Sequence, residues 1–228
     1  MRLRVEYRVG PELRFLANLD MMHAMERTLR RARIPYALSE GFNPHIRLSL
    51  GTVLPVGLWG EREYFDIDLV AEMKAEKFVE QLNTVFPEGL KAAQAIAIEP
   101  SAPSIMSVVN AASYVFKVEN AAAEVREQIK TMTTQPELVV PSRGKKKNRP
   151  KDLKPGIYKI KVKTEEQFDI IEVWASTGAS VNVRFDELLD LMALMGLSRR
   201  QVADVWRGGN YCRVEGHFYT PMEQVKKV

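Results

Sequence analysis

Cysteine is nearly missing from this chain: Cys212 is the only one among 228 residues. One thiol cannot close an internal disulfide, and cannot by itself hold an iron–sulfur cluster or a four-cysteine zinc site. Histidine is also scarce. His23, His45 and His217 lie far apart, and none falls in a metal-ligand spacing such as HExxH. There is no P-loop, no GxGxxG and no GxSxG, which removes the best-marked nucleotide-binding loops and the hydrolase nucleophile elbow. No metal site and no bound cofactor is expected. No run approaches eighteen apolar residues, so no transmembrane helix is expected. The opening residues "MRLRVEYRVG" lack the apolar core of a signal peptide. Together these absences lead us to expect a cytoplasmic protein without membrane attachment. Lysine, finally, is missing from the first third: residues 1–73 hold ten Arg and no Lys.

What is present has an ordinary globular balance, with 46% hydrophobic and 27% charged residues. The length suits two compact domains. The formal net charge is +4, and its distribution says more than its size. Arginine offers a planar fork to phosphate and a flat face to bases, whereas a surface selected only for solubility also uses lysine. Plain compositional bias is the alternative.

"RLRVEYRV" (2–9) alternates strictly, with Leu3, Val5, Tyr7 and Val9 on one face and Arg2, Arg4, Glu6 and Arg8 on the other, as in a half-buried strand. A helix follows from Asn18, its expected N-cap, with Asp20 near the positive end of the dipole and Met22, Met25, Leu29 and Ala32 as its core face. Asp20, His23, Arg27 and Arg30 or Arg31 form a second stripe. Strands are expected over "HIRLSL" (45–50), "REYFDIDLV" (62–70) and within "LKAAQAIAIEP" (90–100), with a helix over 74–86. Strand, helix, strand, strand, helix, strand is the split βαβ, or ferredoxin-like, arrangement. Its helices cover one sheet face and leave the other open. That open face should carry Arg2, Arg4, Arg8, His45, Arg47 and Tyr64, a combination suited to nucleic acid. Asp66 and Asp68 share the face and can pair with the arginines instead.

"PSAPSIMS" (100–107) reads as a linker. The expected division is therefore 1–100, a ferredoxin-like α+β domain, and 101–228, a second α+β domain of related topology. The second begins strand (113–119), helix (120–132, capped by Asn120), short strand (136–140). A hairpin over "IYKIKVKT" and "FDIIEVWAS" follows, then a helix over "VRFDELLDLMAL", a further short helix over "SRRQVADVW", and a frayed "PMEQVKKV" tail. Between two strands lies "SRGKKKNRPKDLKP" (142–155), with seven basic residues and one acid. Arg143, Lys145, Lys146, Lys147, Arg149 and Lys151 are candidate phosphate contacts there. A solvated loop is the alternative.

His45 follows Pro44 at the start of a strand. It can act as a general base or hydrogen-bond a phosphate; the bland reading is a ring that satisfies its own loop. It is the sole catalytic candidate. Cys212 and His217 are not expected to bind metal, and the methionines of "MMHAM" and "LMALM" are read as core.

"RFLANLD", "ERTLRRARIPYALSEGFNPHIRLSLGTVLPVG" and "EYFDIDL" resemble the bacterial radical SAM-linked family, a domain of unknown function encoded beside or fused to a radical SAM protein. The similarity is strong over about residues 2–70 and fades beyond. The resemblance singles out Arg14, Asp20, Arg27, Arg30, Arg31, Gly41, Phe42, Asn43, Pro44, His45, Pro55, Gly57, Glu63 and Tyr64. The family pattern Phe-x-Ser-His-Leu-Asp here reads Phe15-Leu16-Ala17-Asn18-Leu19-Asp20. Asn18 can hydrogen-bond but cannot exchange protons, so the departure favours binding over acid–base chemistry. In the GFNPH loop, Gly41 permits an unusual backbone angle, Pro44 stiffens, and Asn43 is held extended. His45 and Arg47 are then expected beside the Arg27–Arg31 stripe.

The resulting expectation is a non-catalytic accessory module. It would bind structured RNA, ribosomal or transfer, through Arg14, Arg27, Arg30, Arg31, Asn43, His45, Arg47 and the 142–155 run, and present it to a separate radical SAM enzyme. Asn18, Asp20, Gly41, Phe42, Pro44, Pro55, Gly57, Glu63 and Tyr64 would build the motif. Two alternatives stand beside it: an RNA-processing enzyme similar in outline to CRISPR repeat-processing endoribonucleases, using His45, and a protein scaffold for the radical SAM partner.

Overall fold

The computed structural model of the protein describes residues 1–119, 121–144, 149–178 and 181–224. Its chain forms two units, Met1–Val109 with Gly209–Val228, and Asn110–Gly208. The division at 100/101 is therefore displaced. The first unit keeps the segment read as a linker, and it also takes back residues from 209 onward.

The first unit runs β1 (Arg2–Val9), α1 (Asn18–Arg31), β2 (Leu48–Leu50), β3 (Trp59–Asp68), α2 (Ala75–Asn83), β4 (Leu90–Ile98) and a short α3 (Ile105–Val108). β1 lies antiparallel between β3 and β4, and β2 pairs antiparallel with β3. This is the ferredoxin-like order. Strict alternation in β1 sends Leu3, Val5, Tyr7 and Val9 into one core with Phe65, Ile67 and Ile46, closed by Met21, Met25 and Leu29 of α1 and Phe78 and Leu82 of α2. The inward methionine of the first turn is Met21, with Met22 half-buried. The helix N-cap is Ala17, without a side-chain cap, and Asn18 is already helical. Asn18 is thus no cap.

The second unit runs β5 (Ala111–Glu119), α4 (Ala123–Thr131), a two-stranded ribbon of β6 (Val139–Pro141) and β7 (Pro150–Asp152), then β8 (Ile157–Thr164), β9 (Phe168–Ser176), α5 (Phe185–Leu194) and β10 (Val202–Val214). Its sheet order is β10-β5-β9-β8. With the β6–β7 ribbon set aside as an insertion, strand, helix, strand, strand, helix, strand recurs in the same spatial order as in the first unit. The related topology expected of the second half is present. Phe185 of α5 stacks on Tyr114 and Phe116 of β5, with ring centroids 5.8 and 6.3 Å away. The cap of α4 is Ala122; Asn120, expected in that role, lies outside the described residues.

Two segments differ from expectation. "SRRQVADVW" is a single 3-10 turn at Arg199–Gln201 followed by strand, not a helix. β10 ends in the first unit, where it turns into β11 (His217–Tyr219) and α6 (Pro221–Gln224). Met222 of α6 is buried against Tyr64, Ile105 and Val109, so residues 221–224 are not a frayed tail. Among the described residues, no helix is long and apolar enough to cross a membrane.

Candidate functional site

The second face of the first unit's sheet was expected to be open, and it is covered. Arg4 is 1% exposed and Asp66 4%. Arg4 donates to both Asp66 oxygens, Nε to Oδ1 at 2.8 Å and Nη2 to Oδ2 at 3.0 Å, and Nη2 also donates to the Pro103 carbonyl at 2.8 Å. Asp66 accepts the backbone N–H of Ile105 at 2.9 Å. Tyr64 is buried and donates to Glu6 at 2.9 Å. Burial, with Glu6 beside it, pushes the Tyr64 phenol far above its ordinary range. The physical reason is the pairing of arginines with aspartates across the β1–β3 register, which neutralises the face and lets residues 103–109 and 222 pack on it. Arg4 and Tyr64 are therefore not a nucleic-acid platform.

At the edge of that face a cleft remains. It has a volume of about 320 Å³ and is lined by Arg2, Ser39, His45, Ile46, Arg47, Leu48, Ser49, Asp66, Asp68 and Ser104. Arg2 Nε meets Asp68 Oδ1 at 2.6 Å, and Arg47 Nη2 meets Asp68 Oδ2 at 2.9 Å. The Arg2 hydrogen bond, with the Arg47 charge beyond it, holds the Asp68 carboxyl below the usual carboxylate range. The GFNPH loop is closed on itself. Ser39 N–H donates to the His45 carbonyl at 2.8 Å, His45 N–H donates to Ser39 Oγ at 3.1 Å, and Ser39 Oγ lies 2.8 Å from His45 Nδ1. Gly41 supplies the turn with φ +118, a value that disfavours any side chain. Phe42, Asn43 and Pro44 stand in solvent at the loop tip.

The arginine stripe lies elsewhere. Arg27, Arg30 and Arg31 are exposed on the side of α1 away from Met25 and Leu29, joined by Arg33 just past the helix end. Among the described residues, none of these four has a carboxylate partner. α1 packs on one sheet face, while the Arg2–Asp68–Arg47 row lies on the other. The expected meeting of His45 and Arg47 with Arg27–Arg31 therefore does not occur: sheet and helix stand between them. Asp20 and His23 are exposed on α1 as well.

Arg14, Pro55 and Gly57 are architectural. Arg14 Nε donates to the Pro11 carbonyl at 3.1 Å, its own carbonyl accepts from Gly57 N–H at 2.7 Å, and Leu58 N–H donates to Pro55. Asn18 and Glu63 line a small cavity of about 20 Å³ under this knot. Glu63 is buried and accepts from Asn210 Nδ2 at 3.1 Å, while Asn210 Oδ1 accepts from Thr52 at 2.7 Å.

In the second unit the basic run is partly neutralised. Arg143 grips Asp190 with two hydrogen bonds of 2.8 and 2.9 Å, and its backbone N–H donates to Glu187. Lys151 reaches Glu187 at 2.7 Å. Lys154 donates to the Thr133 carbonyl. Glu187 is fully buried; burial alone would raise its pKa, but Lys151 and the N–H groups of Arg184 and Arg143 together hold it below the usual range. Arg143 and Lys151 thus staple the loop to α5, which removes them as free phosphate contacts. Arg149 is exposed, and Lys145, Lys146 and Lys147 lie outside the described residues. Burial pushes the Cys212 thiol up to about 11. No group of three or more His, Cys, Asp or Glu is placed to hold a metal among the described residues.

The sequence reading did not single out Ser39, Asn210 or Glu187. Ser39 is the hydroxyl that closes the His45 loop, and its one local signal is its place six residues before the histidine. Asn210 gave no local signal, because its partner Glu63 lies 147 positions away; Glu187 has one local partner, the Arg184 N–H three residues before it, and its others lie 36–44 positions away.

The family profile described as an uncharacterized protein conserved in bacteria (DUF2344) matches residues 2–185. No curated protein matches. Among solved structures, a chain in the crystal structure of a Cbf5-Nop10-Gar1 complex is similar at 13% identity with a TM-score of 0.51, over 98% of this chain and 54% of that one. This chain therefore spans about half the length of the solved one, and the likeness is one of fold.

Proposed function

The chain belongs to the DUF2344 family, and on that premise we propose that it is an RNA-binding accessory module working with a separate radical SAM enzyme. The observation that carries the reading is the cluster of Arg27, Arg30, Arg31 and Arg33. Residues 27, 30 and 31 are neighbours on one helix surface, and no carboxylate among the described residues neutralises them. Their mutual repulsion is relieved by a polyanion, and arginine's fork suits phosphate. The second unit offers RNA a further exposed arginine, Arg149, within a sequence run rich in lysine. The radical SAM partner is part of the proposal because of the resemblance over residues 2–70. It would own the cluster and the chemistry, while this chain supplies positioned charge.

The test is RNA binding by the full chain, wild type against Arg27/Arg30/Arg31→Ala, across a salt series. Three lost phosphate contacts should shallow the log–log salt slope by about 2–3. Equal affinity and an equal slope would reject the role of α1. A second reading, a protein scaffold for the same enzyme, draws on Phe15, Leu19, Val53 and Val56, which are all exposed. They sit on two segments joined by the Gly57–Arg14 hydrogen bond. Copurification of a radical SAM protein without RNA would favour it.

A further inference from the structure

The cleft beside the GFNPH loop holds more positive charge than its own carboxylates cancel. β1, β3 and the residue before β2 set Arg2, Asp68 and Arg47 in a row: Arg2 faces Asp68 in the β1–β3 register, and Asp68 N–H donates to the Arg47 carbonyl at 3.0 Å. One carboxylate therefore serves two guanidinium groups. The neighbouring pair, Arg4 with Asp66, is balanced within itself and sealed by the Pro103 carbonyl. Arg47 is 53% exposed, so several of its N–H groups face the cleft rather than Asp68. Around it stand the hydroxyls of Ser39, Ser49 and Ser104. The His45 ring spends Nδ1 on Ser39, which leaves Nε2 as its one nitrogen without a partner among the described residues.

We propose that this cleft is a binding site for a phosphate monoester carried on an organic body of nucleotide size. The excess charge calls for an anion. Arg2 spends its N–H groups on Asp68 and the Ala102 carbonyl and Ser39 is tied to His45, so the free contacts among the described residues are the rest of the Arg47 fork, His45 Nε2 and the Ser49 hydroxyl, a charge-assisted set that suits phosphate oxygens. The volume of about 320 Å³ equals roughly ten waters at ~30 Å³ each, and lies in the range of small-molecule sites of about 300–1,000 Å³. Ile46 and Leu48 border the cleft, but their side chains pack in the core on the helix face of the sheet. Phe42, on the same loop, offers an exposed ring, the kind of surface on which a base stacks. The site lies on the opposite sheet face from the Arg27–Arg31 stripe, so it stands or falls apart from the RNA reading.

The experiment is calorimetric titration of the full chain at low salt with adenosine 5′-monophosphate and with adenosine. A second arm compares 5′-phosphorylated and 5′-hydroxyl forms of one short oligoribonucleotide. The monophosphate binds and adenosine does not. Arg47→Ala weakens binding by about tenfold or more, the loss expected for one charge-assisted contact. Arg47→Lys restores part of it, and Ser49→Asp, which sets a second carboxylate against the row, abolishes it. A preference for the phosphorylated oligonucleotide identifies an RNA end as the source, and binding of the mononucleotide alone identifies a free metabolite. Arg27/Arg30/Arg31→Ala leaves the adenosine 5′-monophosphate titration unchanged, which separates this site from RNA binding through α1. Equal binding of adenosine, absence of binding by every phosphorylated probe, or an unchanged affinity in a folded Ser49→Asp variant would each overturn the proposal.

Discussion

Replacing Asp66 with alanine would strand a charge in the interior. Arg4 is 1% exposed, and its guanidinium meets Asp66 through two bonds of 2.8 and 3.0 Å. The same carboxylate holds the Ile105 N–H. Breaking a buried pair from one side costs about 3–5 kcal/mol, because the remaining ion has neither water nor partner. At tenfold per 1.4 kcal/mol, the opening equilibrium of the first unit should rise roughly 10²- to 10⁴-fold. Cys212 gives a direct assay. It is the chain's single cysteine, it is buried in the first unit, and the Arg4 charge reaches its thiol. Its labelling rate under native conditions therefore reports that opening. Arg47→Ala is the control, since Arg47 is 53% exposed in its pair with Asp68 and such pairs contribute about 0–1 kcal/mol. Asp66→Leu combined with Arg4→Met should recover part of the loss, but not all, because Ile105 N–H and the Pro103 carbonyl also lose their partners. If Asp66→Ala leaves labelling within about threefold of wild type, the spread of ordinary surface changes, the pair does not hold the unit together.

Glu187→Gln should lower the stability of the second unit at neutral pH by about 1–3 kcal/mol, the value of charged hydrogen bonds. Its folded pKa is depressed, so its contribution is present above the unfolded value and is lost as pH falls through the folded one. Urea titrations from pH 7 downward should show the wild type losing that increment below about pH 4.3 while the variant does not. Met222→Ala should speed Cys212 labelling, since a buried Met cut to Ala costs about 2–5 kcal/mol; a frayed end would show no change. Gly51→Ala should destabilise by about 1–3 kcal/mol in thermal melts, because its Cβ would lie 2.9 Å from the Tyr64 carbonyl. An unchanged melting temperature would mean that the β2–β3 edge gives way freely.

The first unit was legible because its signals are local. Alternation in β1 and β3 and the spacing of Met25 and Leu29 each name a buried face within a few residues, and Gly41 marks its turn with a positive φ. What escaped depends on distant partners. β10 escaped: its first residues fall in the short helix expected over "SRRQVADVW", and the rest carries no clear alternation. In the fold, a side chain at 208 would sit 2.7 Å from Ser113 Oγ, so the strand needs that glycine. The sequence leaves the arginines of the sheet face two fates, free or paired with Asp66 and Asp68, because the choice depends on a register that only the paired strands fix. The basic run over 142–155 looked free because Glu187 and Asp190 are 36–47 positions away. The GFNPH loop was legible as a turn, and Arg47 stands on the sheet face with Arg2 as expected; the expected meeting with Arg27–Arg31 was incompatible with that placement, since α1 covers the other face.

The first unit is made of two stretches of chain with the whole of Asn110–Gly208 between them. At synthesis rates of about 5–20 residues per second, roughly 100 intervening residues delay its completion by about 5–20 s. During that interval β1, β3 and residues 103–109 are out of the ribosome, but Met222, which packs with Tyr64 and Ile105, is not. The second unit, contiguous in sequence, can close before the first does. Until Met222 arrives, the face around Tyr64 and Ile105 lacks that cover, so the first unit, begun earlier, is the one whose completion waits on the residues after β10.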